Sequence, residues 1–417
     1  MATLRREARA AIAKQLRPFR AVMRTNGDPR LLGIVFRSTR GVRYPETSNQ
    51  EHLHAAMTWL CAAQDATGSG GVSAYYDLGR GGWVPAYPET TGYIIPTFFD
   101  YAAYTRDDRY RERALRMADW LLTVQHTDGS FPIGPLWPHW RREPVVFDTG
   151  QVLQGLVRAF QETARPSYLA AARRAGDWLV AVQEADGSFR RFEYRGLVHT
   201  YTARVAWALL QLHEIHPEAS YRTAAIRHLE WCHDEQQTDG WFTNASFTPD
   251  SDPLTHTIAY TVRGLLEGGL LLSDESMIDS ARRAADQLKS RQSEDGRLAG
   301  TFGPGWNSNV RWSCLTGNVQ LAQIWLRLFE LTGDPTYQDA ARRAISFVKQ
   351  TQIRDAGVPG VDGGIAGSYP IHGDYQSFQI VNWAAKFFVD SLLLEEAIRK
   401  RPSGPEMSKA ARGPSVE

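Results

Sequence analysis

Six times along this chain an apolar segment ends in a Gln that is followed, three residues later, by Asp-Gly or a close variant. The copies read QDATG from Gln64, QHTDGSF from Gln125, QEADGSF from Gln183, QQTDGWF from Gln236, QSEDGRL from Gln292 and, degraded, QIRDAG from Gln352. Their spacings of 61, 58, 53, 56 and 60 residues are too regular for chance and mark a structural repeat. Each period holds two helical patterns, so the repeat is a helical hairpin.

The second unit shows how. From Arg106 to Gln125 the larger apolar residues Tyr110, Leu115, Met117, Leu121, Leu122 and Val124 mix with Arg and Asp, as in an outer helix with one solvated face. The Asp-Gly is expected to stop it, because Gly takes the left-handed conformation cheaply. After a loop comes FDTGQVLQGLVRAFQET, with Asp148 or Thr149 as N-cap and an apolar body suited to an inner helix. Second helices recur near Thr90, Thr149, Thr200, Thr257, Thr316 and Asn382. Six outer and six inner helices predict an all-α closed ring, an (α/α)6 toroid, over about residues 47–397. No copy buries its apolar face alone, so the stacked ring is the folding unit.

At 417 residues the chain has room for two or three average domains, but the continuous repeat argues for one. No run of about 18 apolar residues and no signal-like N-terminus is visible, and a cytoplasmic location is expected. Three Cys, at 61, 232 and 314, form no CxxC pair, which fits a reducing compartment; no metal site and no cofactor are expected. Net charge is +1 but uneven: residues 1–45 carry eleven Lys or Arg against two acids. Such a basic arm meets an anionic membrane surface, a nucleic acid or an acidic partner, or packs across the ring with Leu4, Ile12, Leu16, Phe19 and Met23 inward. The expected partners are a glycan or other anionic small molecule, with no nucleic acid and with a peripheral membrane or protein contact through residues 1–45. The Pro-, Ser- and Gly-rich end of the chain, 398–417, is expected to be a disordered tail.

Every Asp-Gly loop leads from an outer helix to the start of an inner one, so all six inner N-termini surround the ring's hole on one face. Across that level stand Glu89-Thr90-Thr91, Asp148-Thr149, His199-Thr200-Tyr201, His256-Thr257, Cys314 to Asn318 and Val381-Asn382-Trp383. Thr and Asp are ordinary N-caps, yet acids and His confined to one level of a ring point to a site. The feeding loops are rich in aromatics: Trp83, Tyr87, Trp137, Trp140, Trp241, Trp306, Trp312 and Tyr369. Flat rings beside carboxylates suit a sugar groove, and the same rings suit an isoprenoid cavity in which they stabilise carbocations. Arg191, Arg195, Arg204 and Arg311 near this face, with six helix N-termini, favour an anionic ligand.

The DGSF and DGWF repeats after a W-L-x-x-x-Q helix, with GVDGGIAGSYP at 360–370, resemble the repeats of squalene cyclase and protein prenyltransferase toroids. The D-x-D-D acid motif of the cyclases is absent, as are the zinc pattern of the prenyltransferases around Ser308 to Cys314 and that of the lanthionine cyclases around Cys314 and His372. YPETTGYIIPTFFDYA, FDTGQVLQGL, VHTYTARVAWALL and SCLTGNVQLAQIWLRL look like inner-helix motifs of soluble bacterial toroid proteins of surface and exopolysaccharide synthesis, and YPETTGYIIP is similar to a segment of glucuronyl C5-epimerases. These resemblances imply carbohydrate work.

Two mechanisms are open by residue type. Hydrolysis needs two carboxyl groups, one kept protonated, for which Glu89 and Asp148 are the best pair, with Asp374 nearby. Epimerisation or elimination of a uronate needs a base and a group that neutralises the carboxylate. His199, His256, Tyr201 and Tyr260 are the candidate bases, and Arg204, Arg311 and Asn309 the neutralisers, with Asn318 as a further polar contact. A terpenoid cyclase or prenyltransferase-like enzyme and a non-catalytic scaffold of a glycan assembly complex are the alternatives.

Overall fold

The computed structural model describes residues 28–140 and 142–401. Helix α1 (Pro29–Thr39) precedes the ring. Six outer helices follow: α2 (Asn49–Asp65), α4 (Asp108–Val124), α6 (Pro166–Val182), α8 (Ala219–Asp234), α10 (Glu275–Ser290) and α12 (Pro335–Lys349). They alternate with six inner ones: α3 (Pro88–Thr105), α5 (Val146–Thr163), α7 (Ala203–Ile215), α9 (Thr255–Leu272), α11 (Leu315–Thr332) and α13 (Asn382–Lys400). Each inner helix packs on the next and α13 returns to α3, so the ring closes as an (α/α)6 toroid. Outer helices bury one stripe, as Ala114, Met117, Ala118 and Leu121 of α4 do, whereas inner helices are buried nearly all round.

The recurrent Gln explains why the repeat exists. Gln125 and Gln183 are themselves extended, with ψ of 132° and 136°, so the helix ends at the Gln and not at the Gly. The Gln side chain then bolts two units together. Gln125 Nε2 donates to Gly129 O at 3.0 Å in its own loop and to Ala171 O at 2.9 Å on the next outer helix. Gln183, Gln236 and Gln292 make the same fork to Ala224 O, Ser280 O and Ala340 O, at 2.8, 2.8 and 3.0 Å. Gln64 reaches Arg113 O, and Gln352 reaches back to His52 O of α2, which shuts the ring.

The Gly serves close approach rather than helix termination. Gly296 has φ 85°, and a Cβ there would lie 2.0 Å from Arg343 O of α12. The pairing of helices also differs from expectation. The tight antiparallel hairpin is inner helix followed by outer helix, joined across Arg106 (φ 57°) or Gly333 (φ 72°), and the Asp-Gly loop links one hairpin to the next.

The loops carry five strands of two or three residues, β1 (Tyr75–Asp77), β2 (Gly82–Trp83), β3 (Ser313–Cys314), β4 (Ser368–Tyr369) and β5 (Gln379–Val381). They form a three-stranded sheet in the order β2-β1-β5 and a pair β3-β4, both antiparallel. β5 joins the sixth loop to the first. Helix α1 lies over the closing loops, burying Leu31, Ile34 and Val35, with Ile371 N donating to Ser38 Oγ at 2.9 Å. The expected inward residues Leu4, Ile12, Leu16, Phe19 and Met23 lie outside the described residues, as does the tail from 402. Helix α13 runs to Lys400, three residues past the expected ring boundary. Cys61, Cys232 and Cys314 are free thiols, and among the described residues no helix is long and apolar enough to cross a membrane.

Candidate active site

The level read from the sequence does open onto one cavity of about 740 Å³, lined from the first turns of the inner helices and from the loops above them. Glu89 and Asp148 stand in the first turns of α3 and α5, 7% and 3% exposed. The Tyr87 hydroxyl interacts with both carboxyls, and Asp148 Oδ2 has no hydrogen-bond partner. Burial pushes Glu89 up to about 7, opposed by the Tyr87 hydroxyl and by the Arg204 charge. Burial raises Asp148 well above the carboxylate range, and repulsion from Glu89 and Glu193 raises it further. Both carboxyls are thus raised, Asp148 the further, and the repulsion between them disfavours ionising both at once.

Glu193, absent from the acids read at this level from the sequence, is a third acid in the cavity lining. It is 5% exposed, accepts Phe147 N at 2.9 Å and Tyr194 N at 3.1 Å, and is pushed up to about 7 by burial. It caps the N-terminus of α5 from a neighbouring loop, and so holds Asp148's helix in place. No sequence spacing announces such a contact, because it crosses from one unit to another.

His256 lines the cavity beneath Tyr375, its ring 4.4 Å from Tyr260. Its Nδ1 meets Gln320 Oε1 at 2.8 Å, and burial lowers it to about 4, so the imidazole is neutral at physiological pH. Tyr201, Tyr260, Trp312 and, at the exposed rim, Asp374 also line the cavity. Trp383, read at this level from the sequence, lines it too, whereas Tyr93, Phe147, Tyr194, Phe247 and Tyr375 were missed. Tyr93 lies one helical turn after Glu89, as Tyr260 lies after His256, and that spacing was a legible signal.

Other expected site residues are elsewhere. His199 turns into an adjoining groove because a 3₁₀ turn, Thr200–Thr202, precedes α7 and delays the helix; its neighbour Tyr201 takes the place in the cavity. Trp241 lines the same groove. Arg204 is buried beneath the floor, its guanidinium 5.0 Å from the Tyr260 ring and bonded to Gln151 and Gln154 at 2.8 and 2.9 Å. Arg311 and Asn309 are exposed on the loop outside the lining, Arg191 pairs with Glu184 and Arg195 lies over Tyr194. Trp83 packs on Trp59 and Tyr76. Trp137 lies under Arg80, Trp140 is 64% exposed, and Trp306 is buried with Nε1 donating to Asp239 O at 3.0 Å. Tyr369 sits against Phe347 and the α1 side of the ring. Asn318 is a loop bracket: it accepts Leu298 N at 3.1 Å and donates to Cys314 O at 2.8 Å. Thr91 and Thr149 accept loop N–H groups in the same way. Of the eight loop aromatics read from the sequence, Tyr87 and Trp312 line the cavity and the other six do not.

The cavity lining contains no Lys or Arg among the described residues, and no group of three or more His, Cys, Asp or Glu there is placed to hold a metal. Buried carboxyls at different protonation states amid aromatic faces can supply one acid and one base to a bound substrate.

Comparison with known proteins agrees on the fold. The family model of the squalene-hopene cyclase C-terminal domain matches residues 85–267, less than half of the chain. No curated protein sequence matches. Among solved structures, the chain is similar to an unsaturated glucuronyl hydrolase of Bacillus sp. GL1 (16% identity, TM-score 0.65, covering 83% of this chain and 96% of that one). It is similar to a cellobiose 2-epimerase of Bacillus thermoamylovorans (13%, TM-score 0.66, 82% and 97%). It is also similar to an α-mannanase of glycoside hydrolase family 76 from Bacteroides thetaiotaomicron (13%, TM-score 0.61, 85% and 98%). At these identities the likeness is one of fold, and the chain is an (α/α)6 toroid like each of them.

Proposed function

We propose that this protein is a carbohydrate-active enzyme, acting on a polysaccharide or glycan intermediate by acid/base chemistry of buried carboxyls. The observation that carries the reading is the Glu89–Asp148 pair, two carboxyls at one level of the cavity whose surroundings drive their proton affinities apart. Asp148 is the general acid, delivering its proton to a leaving oxygen, and Glu89 is the base or nucleophile. His256, neutral, takes the second-base role that a uronate epimerase or lyase reaction requires. The likeness to unsaturated glucuronyl hydrolases and to a sugar epimerase supports a glycan containing acidic units. A uronate does not need the Arg side chains that lie outside this cavity, because a protonated carboxyl donates a strong hydrogen bond to a carboxylate. We place the work in the cytoplasm, in keeping with the free thiols.

Aromatic lining and the cyclase family match favour a second reading, an isoprenoid enzyme in which Asp148 protonates an alkene. A scaffold is the third, though the hole is open rather than plugged by side chains. The test is turnover of neutral and uronate-containing oligosaccharides, and of a polyprenyl substrate, followed by product analysis. Asp148→Asn and Glu89→Gln should each lower glycan turnover by about 100-fold or more with the fold intact. Full activity in both variants would reduce the two residues to helix-terminal structure, and turnover of the polyprenyl substrate alone would favour the second reading.

A further inference from the structure

Beside the cavity lies a groove of about 570 Å³ that the carboxyl chemistry does not use, lined by Arg190, Leu197, His199, Trp241, Asn244 and the segment Pro249–Pro253. It adjoins the cavity, since Ser251 and Asp252 line both. The partition between them is a stacked ring pair: Tyr201 lines the cavity, His199 lines the groove, and their ring centroids lie 4.6 Å apart with the planes 12° from parallel. Across the groove Trp241 is half-buried, and its backbone is fixed by Trp241 N donating to Asp239 Oδ1 at 3.0 Å and Gln237 N donating to Trp241 O at 2.7 Å. The floor is firm, because Asn244 Nδ2 donates to Glu235 at 2.9 Å.

Each of the two spaces is by itself of the size that encloses a small ligand, and together they are longer than one sugar requires. Their chemistry differs. The cavity presents carboxylates without a cation, whereas the groove presents an exposed Arg190 with Asp250, Asp252 and Thr243, groups that suit hydroxyls, beside an indole.

We propose that this groove holds the sugars that continue a glycan chain beyond the unit in the cavity, with Trp241 as the stacking platform and Arg190 as a polar contact to the chain. The inference rests on the carbohydrate reading and adds that the substrate is an oligomer passing over the Ser251–Asp252 saddle, not a free monosaccharide.

Titration calorimetry on the full chain with hyaluronan di- and tetrasaccharides, and with neutral cello-oligosaccharides of the same lengths, tests it. The tetramer of at least one series should bind about tenfold or more tightly than its dimer. Trp241→Ala should bring tetramer affinity down to that of the dimer, and Trp241→Phe, which keeps a flat face, should recover most of it. Arg190→Gln should weaken the tetramer about threefold. Thermal melts report whether each variant is folded; if Trp241→Ala is unfolded, the Trp241→Phe and Arg190→Gln values decide. Binding that does not depend on length, or tetramer affinity untouched by these changes, would overturn the groove while leaving the carbohydrate reading in place. Failure of both series to bind at any length would overturn both.

Discussion

The Gln-Gly bolt and the first turn of the inner helix sit one loop apart in every repeat, and they behave oppositely. The bolt is nearly identical six times: one amide, one glycine carbonyl, one carbonyl of the next outer helix. The first turns hold Glu89, Asp148, Tyr201, His256, Thr316 and Trp383, no two alike. Repetition therefore builds the ring, and divergence at a single level of it gives the cavity its lining. A closed ring also supplies what no single hairpin has, a position where side chains from different units converge, and five of these six line the cavity.

The comparison breaks most severely at the bolt. Gly296→Ala places a Cβ 2.0 Å from Arg343 O at φ 85°, and should destabilise the ring by about 4 kcal/mol. A urea melt measures this; a loss below about 1 kcal/mol would show that the loops give way easily and that the bolt is not what joins the units.

The next effect is electrostatic and belongs to the site. Glu89 in the folded protein is raised by burial to about 7, above its ordinary value of 4.5. Its contribution to stability is therefore complete below about pH 4.5 and is lost as pH rises through 7, because the unfolded chain releases the proton first. Glu89→Gln removes that loss, so the variant should gain roughly 2–3 kcal/mol over the parent between pH 5 and pH 8. His256, lowered to about 4, has the opposite trend, since its contribution is lost as pH falls, but it is common to both proteins and cancels in the difference. Stability curves of parent and variant that run parallel across that range would mean Glu89 is ionised throughout.

A smaller change separates bolt from site. Gln183→Ala removes two hydrogen bonds, to Gly187 O and Ala224 O, and should cost about 1–2 kcal/mol, leaving turnover per folded molecule as it was. Turnover that falls in step with stability would mean that the bolts also hold the cavity in shape.

Much of the architecture was legible because it repeats. Six copies of a Gln and a Gly, with helical periodicity on either side, announce six equivalent hairpins, and equivalence places all six inner N-termini on one face. That equivalence alone brings Glu89, Asp148 and His256 to one level of the ring, where all three line the cavity. The meaning of the Gly was misread, because the sequence shows which residue permits a left-handed backbone but not which neighbour approaches it.

What the sequence by itself determined is thus the ring, its closure and the level at which the cavity opens, since periodic burial depends only on residue order. Tertiary structure alone decided the cast at that level. A single 3₁₀ turn rotated His199 out and Tyr201 in, a loop from the neighbouring unit delivered Glu193 to the α5 N-terminus, and of the six loop tryptophans only Trp312 reached the cavity lining. Irregular loops obey no period, and a carboxyl's proton affinity follows from burial and neighbouring charge, which exist only once the chain has closed on itself.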